Sequence, residues 1–140
     1  ANTDLALDLY RNEFRPSRWL DEPYAMVAVS AVCAETDERA EWLSGPAGLA
    51  FLRLRQGRPG RLPTPAEAAE YPYSPLERDF ILGRRDGQAL GSPETVTGQL
   101  TALLERTGAD ELMLTNMVYD VRDRIRSYEL IAERVRPKLT

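Results

Sequence analysis

Gly91–Thr115 reads GSPETVTGQLTALLERTGADELMLT, and its punctuation decides the fold. Ser92 is a helix cap with Pro93 at the first helical position, where its missing N–H costs nothing. Val96, Leu100, Leu103 and Leu104 then recur at the period of one buried helix face. Gly108 supplies a left-handed stop, and Glu111–Thr115 follows as a short apolar strand. Helix, glycine stop and strand in this order form one βα unit of a parallel α/β fold.

Working outward, Asp120 caps a last helix whose stripe is Val121, Ile125, Tyr128, Ile131 and Val135. Before Gly91, Gln88–Leu90 reads as a short strand. The best strand is Tyr24–Ala34 (YAMVAVSAVCA), nearly all apolar and rich in valine, so both of its faces are expected to be buried. Thr3–Phe14 reads as a helix ended by Pro16. Thr36 caps a helix through Ala40 and Leu43, which Gly45-Pro46-Ala47-Gly48 should break or kink before it resumes over Leu49–Leu54. Gln56–Pro75 is rich in Pro, Gly and Arg. It is expected to be a long loop with a short helix at Ala66–Ala69, followed by a helix capped at Ser74 and reaching Leu82. Strands alternating with helices imply parallel βαβ units.

The 140 residues suit a single domain over 1–140, large enough to bury roughly two-thirds of its unfolded surface. A net charge of -4 and no block of basic residues argue against a nucleic-acid partner. No apolar run approaches the ~20 residues of a membrane span. The start, Ala1-Asn2-Thr3-Asp4, lacks the basic region and apolar core of a secretory signal. It also lacks an initiator methionine, which points to processing or truncation. The single cysteine, Cys33, allows no internal disulfide and suits a reducing cytoplasm. The chain has no histidine, which excludes imidazole acid–base work, Ser-His-Asp and Cys-His triads and histidine-ligated zinc.

In α/β folds chemistry sits at the carboxyl ends of strands. Three such places exist. After the first strand, Glu35 and Asp37 read as first-turn helix acids or as a base. After the second, Gly91, Ser92 and Thr95 offer a helix start to a phosphate, or simply cap the helix. After the third, Asn116 and Tyr119 could hydrogen-bond a ligand, beside a capping Asp120. Arg122, Arg124 and Arg126 read as a solvated helix face. No acidic cluster has the spacing of a metal loop, and no catalytic residue is assigned.

Several stretches together resemble the luciferase-like flavin-dependent monooxygenases, the bacterial luciferase family. They are Tyr10-Arg11, Phe14-Arg15-Pro16-Ser17, Met26-Val27-Ala28-Val29, Thr36-Asp37-Glu38-Arg39-Ala40, Phe51-Leu52-Arg53-Leu54-Arg55, Gly91–Val96, Gly108–Met113 and Arg124–Glu129. The resemblance covers nearly the whole chain and matches the carboxyl-terminal portion of such proteins. It implies a partial (β/α)8 TIM barrel, about its last three βα units, where a whole barrel takes about 250 residues. It implies FMN or a deazaflavin as cofactor of the full-length enzyme, oxidation with molecular oxygen, and a flavin reductase as partner. It makes residues 56–75 a lid-like insertion, with Arg53, Arg55, Arg58 and Arg61 as anion contacts. It also implies that most flavin-holding groups lie in strands this chain lacks, so that the fragment is inactive alone. Open sheet edges then predict a two-fold homo-oligomer, or a rearrangement that covers them. The alternatives are a small self-associating α/β module that binds a ligand or partner without catalysis, and a small enzyme whose site forms between subunits.

Overall fold

The computed structural model describes residues 2–139, leaving Ala1 of the amino-terminal stretch outside. The elements run α1 (Asn2–Glu13), β1 (Met26–Cys33), α2 (Asp37–Arg55), α3 (Pro65–Glu70), α4 (Pro75–Arg85), β2 (Gln88–Gly91), α5 (Pro93–Thr107), β3 (Glu111–Thr115) and α6 (Val121–Leu130). A π-helical turn (Ile131–Val135) and α7 (Arg136–Leu139) close the chain.

The sheet is wholly parallel, in the order β2-β1-β3. Ser30 to Cys33 pair with Gln88 to Gly91, and Met26 to Ser30 pair with Glu111 to Thr115. Consecutive staves of a barrel would instead place β2 between β1 and β3. Here the first crossover runs from β1 to β2, and the second runs back from β2 past β1 to β3, in the opposite direction. Right-handed crossovers in opposite directions must lie on opposite faces. The packing agrees: Val29, Ala31, Cys33 and Ala89 meet Val96 and Leu100 of α5 with Leu130, Ile131 and Val135. On the other face Val32 and Leu90 meet Ala40 and Leu43 of α2, and Val118. β1 is the central strand, and both of its faces are buried over Ala31–Cys33. Its amino half departs from the expectation of two buried faces: Met26 and Ala28 are exposed.

Local signals set the element ends. Ser92 accepts the Thr95 amide at the start of α5, and Gly108 ends it with φ 56°. Thr64 and Ser74 form reciprocal capping boxes with Glu67 and Glu77, each preceding a proline. The Gly57 backbone also lies in the left-handed region, φ 71°, just past α2.

Two expectations are corrected. First, α2 is one helix from Asp37 to Arg55 with Pro46 inside it, and the predicted break is absent. The small residues around the proline form a packing seam. A Cβ on Gly45 would stand 3.2 Å from the Cβ of Ala68, and one on Gly48 would stand 3.5 Å from Ile81. Pro46 itself is buried, and Leu49 and Leu52 carry the seam on to Ala68, Tyr71, Tyr73, Phe80 and Ile81. Burial of this face against α3 and α4 outweighs the one backbone bond that proline removes. Second, the last stripe is only half buried. Ile131 and Val135 reach the core, whereas Val121 is 55% and Ile125 53% exposed, with Tyr128 also exposed. The π-helical turn shifts the helical phase, so Ser127 and Leu130 face inward ahead of it.

Candidate functional site

The carboxyl ends of the three strands gather most of the polar residues singled out by sequence. Asp37, in the first turn of α2, reaches across to the start of α5. Its carboxylate accepts the Ser92 amide at 2.6 Å and the Thr95 hydroxyl at 3.1 Å. These bonds, the Ser92 amide foremost, hold its pKa below the ordinary carboxylate value. Gly91 is the residue this contact demands. Its φ is 150°, and a Cβ there would lie 2.5 Å from the Asp37 oxygen and 2.7 Å from Thr95.

Glu35 lies beside Arg126 of α6, at 2.9 Å, which lowers the pKa of its carboxyl. Arg39 of α2 meets Asp123 of α6 at 3.0 Å. The two pairs tie the β1–α2 turn to α6. Arg126 stays exposed beside Arg122 and Arg124, a solvated helix face on which it pairs with Glu35.

Asn116 continues the ladder beyond β3 with its side chain. It donates to the Ala31 carbonyl and to the Ser127 hydroxyl, both at 3.0 Å, and accepts the Val118 amide at 2.9 Å. Ser127 is fully buried and accepts the Cys33 amide at 2.9 Å. Ser127 was not legible as a functional position; the signal was one small polar residue beside an apolar stripe. Tyr119 stays exposed. Cys33 is an inert thiol, its pKa pushed up to about 11 by burial.

These groups can therefore brace the carboxyl face. A flavin phosphate at Gly91–Thr95 is a poor fit while Asp37 holds the donors, because a second anion would sit against its carboxylate and Glu94. Among the described residues no group of His, Cys, Asp and Glu is arranged to hold a metal ion, and no helix is long and apolar enough to cross a membrane.

Away from the strands, α2, α3 and α4 enclose a groove of about 570 Å³ walled by Trp42, Tyr71, Tyr73 and Ile81. Of the arginines read as anion contacts, Arg61 pairs with Glu67 at 2.6 Å and Arg55 stacks on Phe80. Arg53 and Arg58 line a shallow cavity of about 350 Å³ with Gln56, Gly60 and Tyr71.

No family profile matches the sequence. Individual proteins do. The protein YvbT of Bacillus subtilis is 41% identical over 95% of the chain, which spans 40% of its length. A luciferase-like monooxygenase of Escherichia coli K12 is 35% identical over 89% of the chain, spanning 37% of its length. Among solved structures, apo-MsnO8 superposes with a TM-score of 0.83 at 36% identity, over 99% of this chain and 42% of its own. The oxygenating constituent of 3,6-diketocamphane monooxygenase from Pseudomonas putida, in complex with FMN, superposes with a TM-score of 0.64 at 26% identity, over 99% of this chain and 40% of its own. The chain thus spans about two-fifths of each relative's length. With its parallel sheet and these matches along nearly all of its residues, the chain is similar in sequence and fold to a part of the luciferase-like monooxygenases.

Proposed function

We propose that the chain is the carboxyl-terminal part of a flavin-dependent luciferase-like monooxygenase and is inactive by itself. The observation that carries the second half is the mutual satisfaction of the carboxyl-face polar groups: Asp37 with Ser92 and Thr95, Glu35 with Arg126, and Asn116 with Ser127. Of the candidate side chains on that face, Glu35, Asp37, Ser92, Thr95 and Asn116 already have partners within the chain, and Tyr119 stays exposed. The flavin half is supported by the FMN-bound relative. In this reading the missing three-fifths of the relatives' length brings the flavin-holding groups. FMN, or a deazaflavin, supplies the oxygen chemistry when bound to the whole protein. A cytoplasmic setting and a separate reductase for the flavin complete the reading. In the whole protein the three strands would serve as the last staves of a (β/α)8 barrel. There β2 would stand between its neighbours, so the pairing of β3 with β1 is where the present sheet and a barrel differ. Residues 56–75, with Arg53 and Arg58, would act as a lid over the site.

The test compares this chain with one extended upstream by the residues its relatives carry. Free reduced FMN reacts with oxygen unaided, so the quantity read is the change in that rate: the extended protein is expected to alter the rate at which reduced FMN is oxidised, and this chain is expected to leave it unchanged. An altered rate with this chain, or an unaltered one with the extended protein, would refute the reading.

A second reading, a self-associating α/β module without catalysis, is favoured by the open edge of β3.

A further inference from the structure

The sheet register brings three polar side chains into one row. Ser30 of β1 pairs with Gln88 of β2 on one side and with Thr115 of β3 on the other. Residues paired in a parallel sheet share a face, and faces alternate along a strand. Val32 and Leu90, two positions further on, pack against α2. The row of Gln88, Ser30 and Thr115 therefore lies on the α2 face, one step before that apolar layer. There α2 and α4 enclose a cavity of about 120 Å³ over the row, with Leu43, Phe51, Ile81 and Met117 among its walls. Pockets that enclose drug-sized ligands run to ~300–1,000 Å³, so this one suits a small molecule or one end of a larger one.

Two arginines of α4 also line the cavity. Arg85 is paired with Glu41 at 2.6 Å. Arg84 instead lies over the Phe51 ring, 3.6 Å from its centroid. Stacking uses the face of a guanidinium and leaves the N–H groups at its edge free to donate. Among the described residues no side-chain or backbone oxygen accepts from them. The side chains of Ser30 and Gln88 likewise have no hydrogen-bond partner among the described residues. Burial lowers the pKa of Arg84, as expected of a cation that has lost water without gaining an anion.

We infer that this cavity binds the carboxylate of a small organic monoacid, with Arg84 as its anion contact and Ser30 and Gln88 as donors on the cavity floor. Charge and shape select that ligand. One unpaired cation suits one negative charge, whereas a phosphate dianion would leave a second charge uncompensated among apolar walls. The planar fork of Arg84 fits a planar carboxylate through two parallel bonds. Leu43, Ile81 and Met117 offer surface to a short hydrocarbon chain. The site draws on side chains from one face of the sheet and from two helices, all within this chain. It uses no edge group and no flavin, so it stands or falls apart from the flavin reading.

Butyrate is the probe, titrated into the chain at constant ionic strength and followed by heteronuclear NMR. The Arg84 side-chain Nε–H and the Ser30 and Gln88 amide resonances are expected to shift together and to saturate. Butyramide, which has the shape without the charge, and inorganic phosphate are each expected to bind about tenfold more weakly or worse. Arg84→Gln is expected to weaken butyrate binding about tenfold or more, and Arg84→Lys, which keeps the charge and loses the fork, to weaken it less. Arg122→Gln, on the exposed face of α6, is expected to leave it unchanged. The butyramide and phosphate comparisons use the unsubstituted chain, so the test holds even where a variant fails to fold. No saturable shift, equal affinity for butyramide, tighter binding of phosphate, or butyrate binding indifferent to Arg84→Gln would overturn the proposal.

Discussion

Ser127 has neither charge nor reactivity, yet the buried Cys33 amide and the Asn116 side chain both depend on its hydroxyl. Ser127→Ala strands those donors in the core. It is expected to cost about 1–3 kcal/mol, read by urea denaturation with the dependence on urea unchanged. Glycines make a sharper contrast. Gly98 sits within α5, and a Cβ there meets nothing within 4 Å. Gly98→Ala is expected to stabilise the chain by about 1 kcal/mol. Gly91→Ala, which drives a Cβ into Asp37 and Thr95 at positive φ, is expected to destabilise it severely, in the same assay. Asp37 gives a pH signature. Its folded pKa lies below its unfolded value, so its contribution is complete above the unfolded pKa of about 3.9 and is lost as pH falls through the folded pKa. Asp37→Ala should therefore lower stability at neutral pH, with a deficit that shrinks in acid. A deficit independent of pH would contradict the assigned bonds.

At the scale of elements, what was legible was what local chemistry dictates. Ser74, Ser92 and Asp120 cap their helices and Gly108 stops α5, because a cap or a left-handed stop needs only a few neighbouring residues. Gln88 and Glu111 begin strands for the same kind of reason. The failures involve distant partners. Pro46 reads as a breaker until α3 and α4 are placed against Gly45 and Gly48. Val121, Ile125 and Tyr128 read as buried because nothing local announces the π-helical turn that shifts the phase at Ile131. The strand order depends on which side of β1 the third strand takes, and periodicity carries no information about sides. The site divides the same way. Asp37 and Gly91–Thr95 stood out as separate places, but only the fold shows that each occupies the other.

At the scale of the whole molecule, the carboxyl face is braced by pairs that close on themselves, and one sheet edge stays open. The proposed reading, a piece of a larger enzyme, accounts for the first feature. The binding groups of that enzyme would come from sequence that the relatives possess beyond the matched two-fifths. The most direct test of the central claim is a titration of this 140-residue chain with FMN, followed by flavin fluorescence. The account predicts no saturable change in the micromolar range. Saturable micromolar binding would contradict it, because the chain would then hold a flavin site of its own.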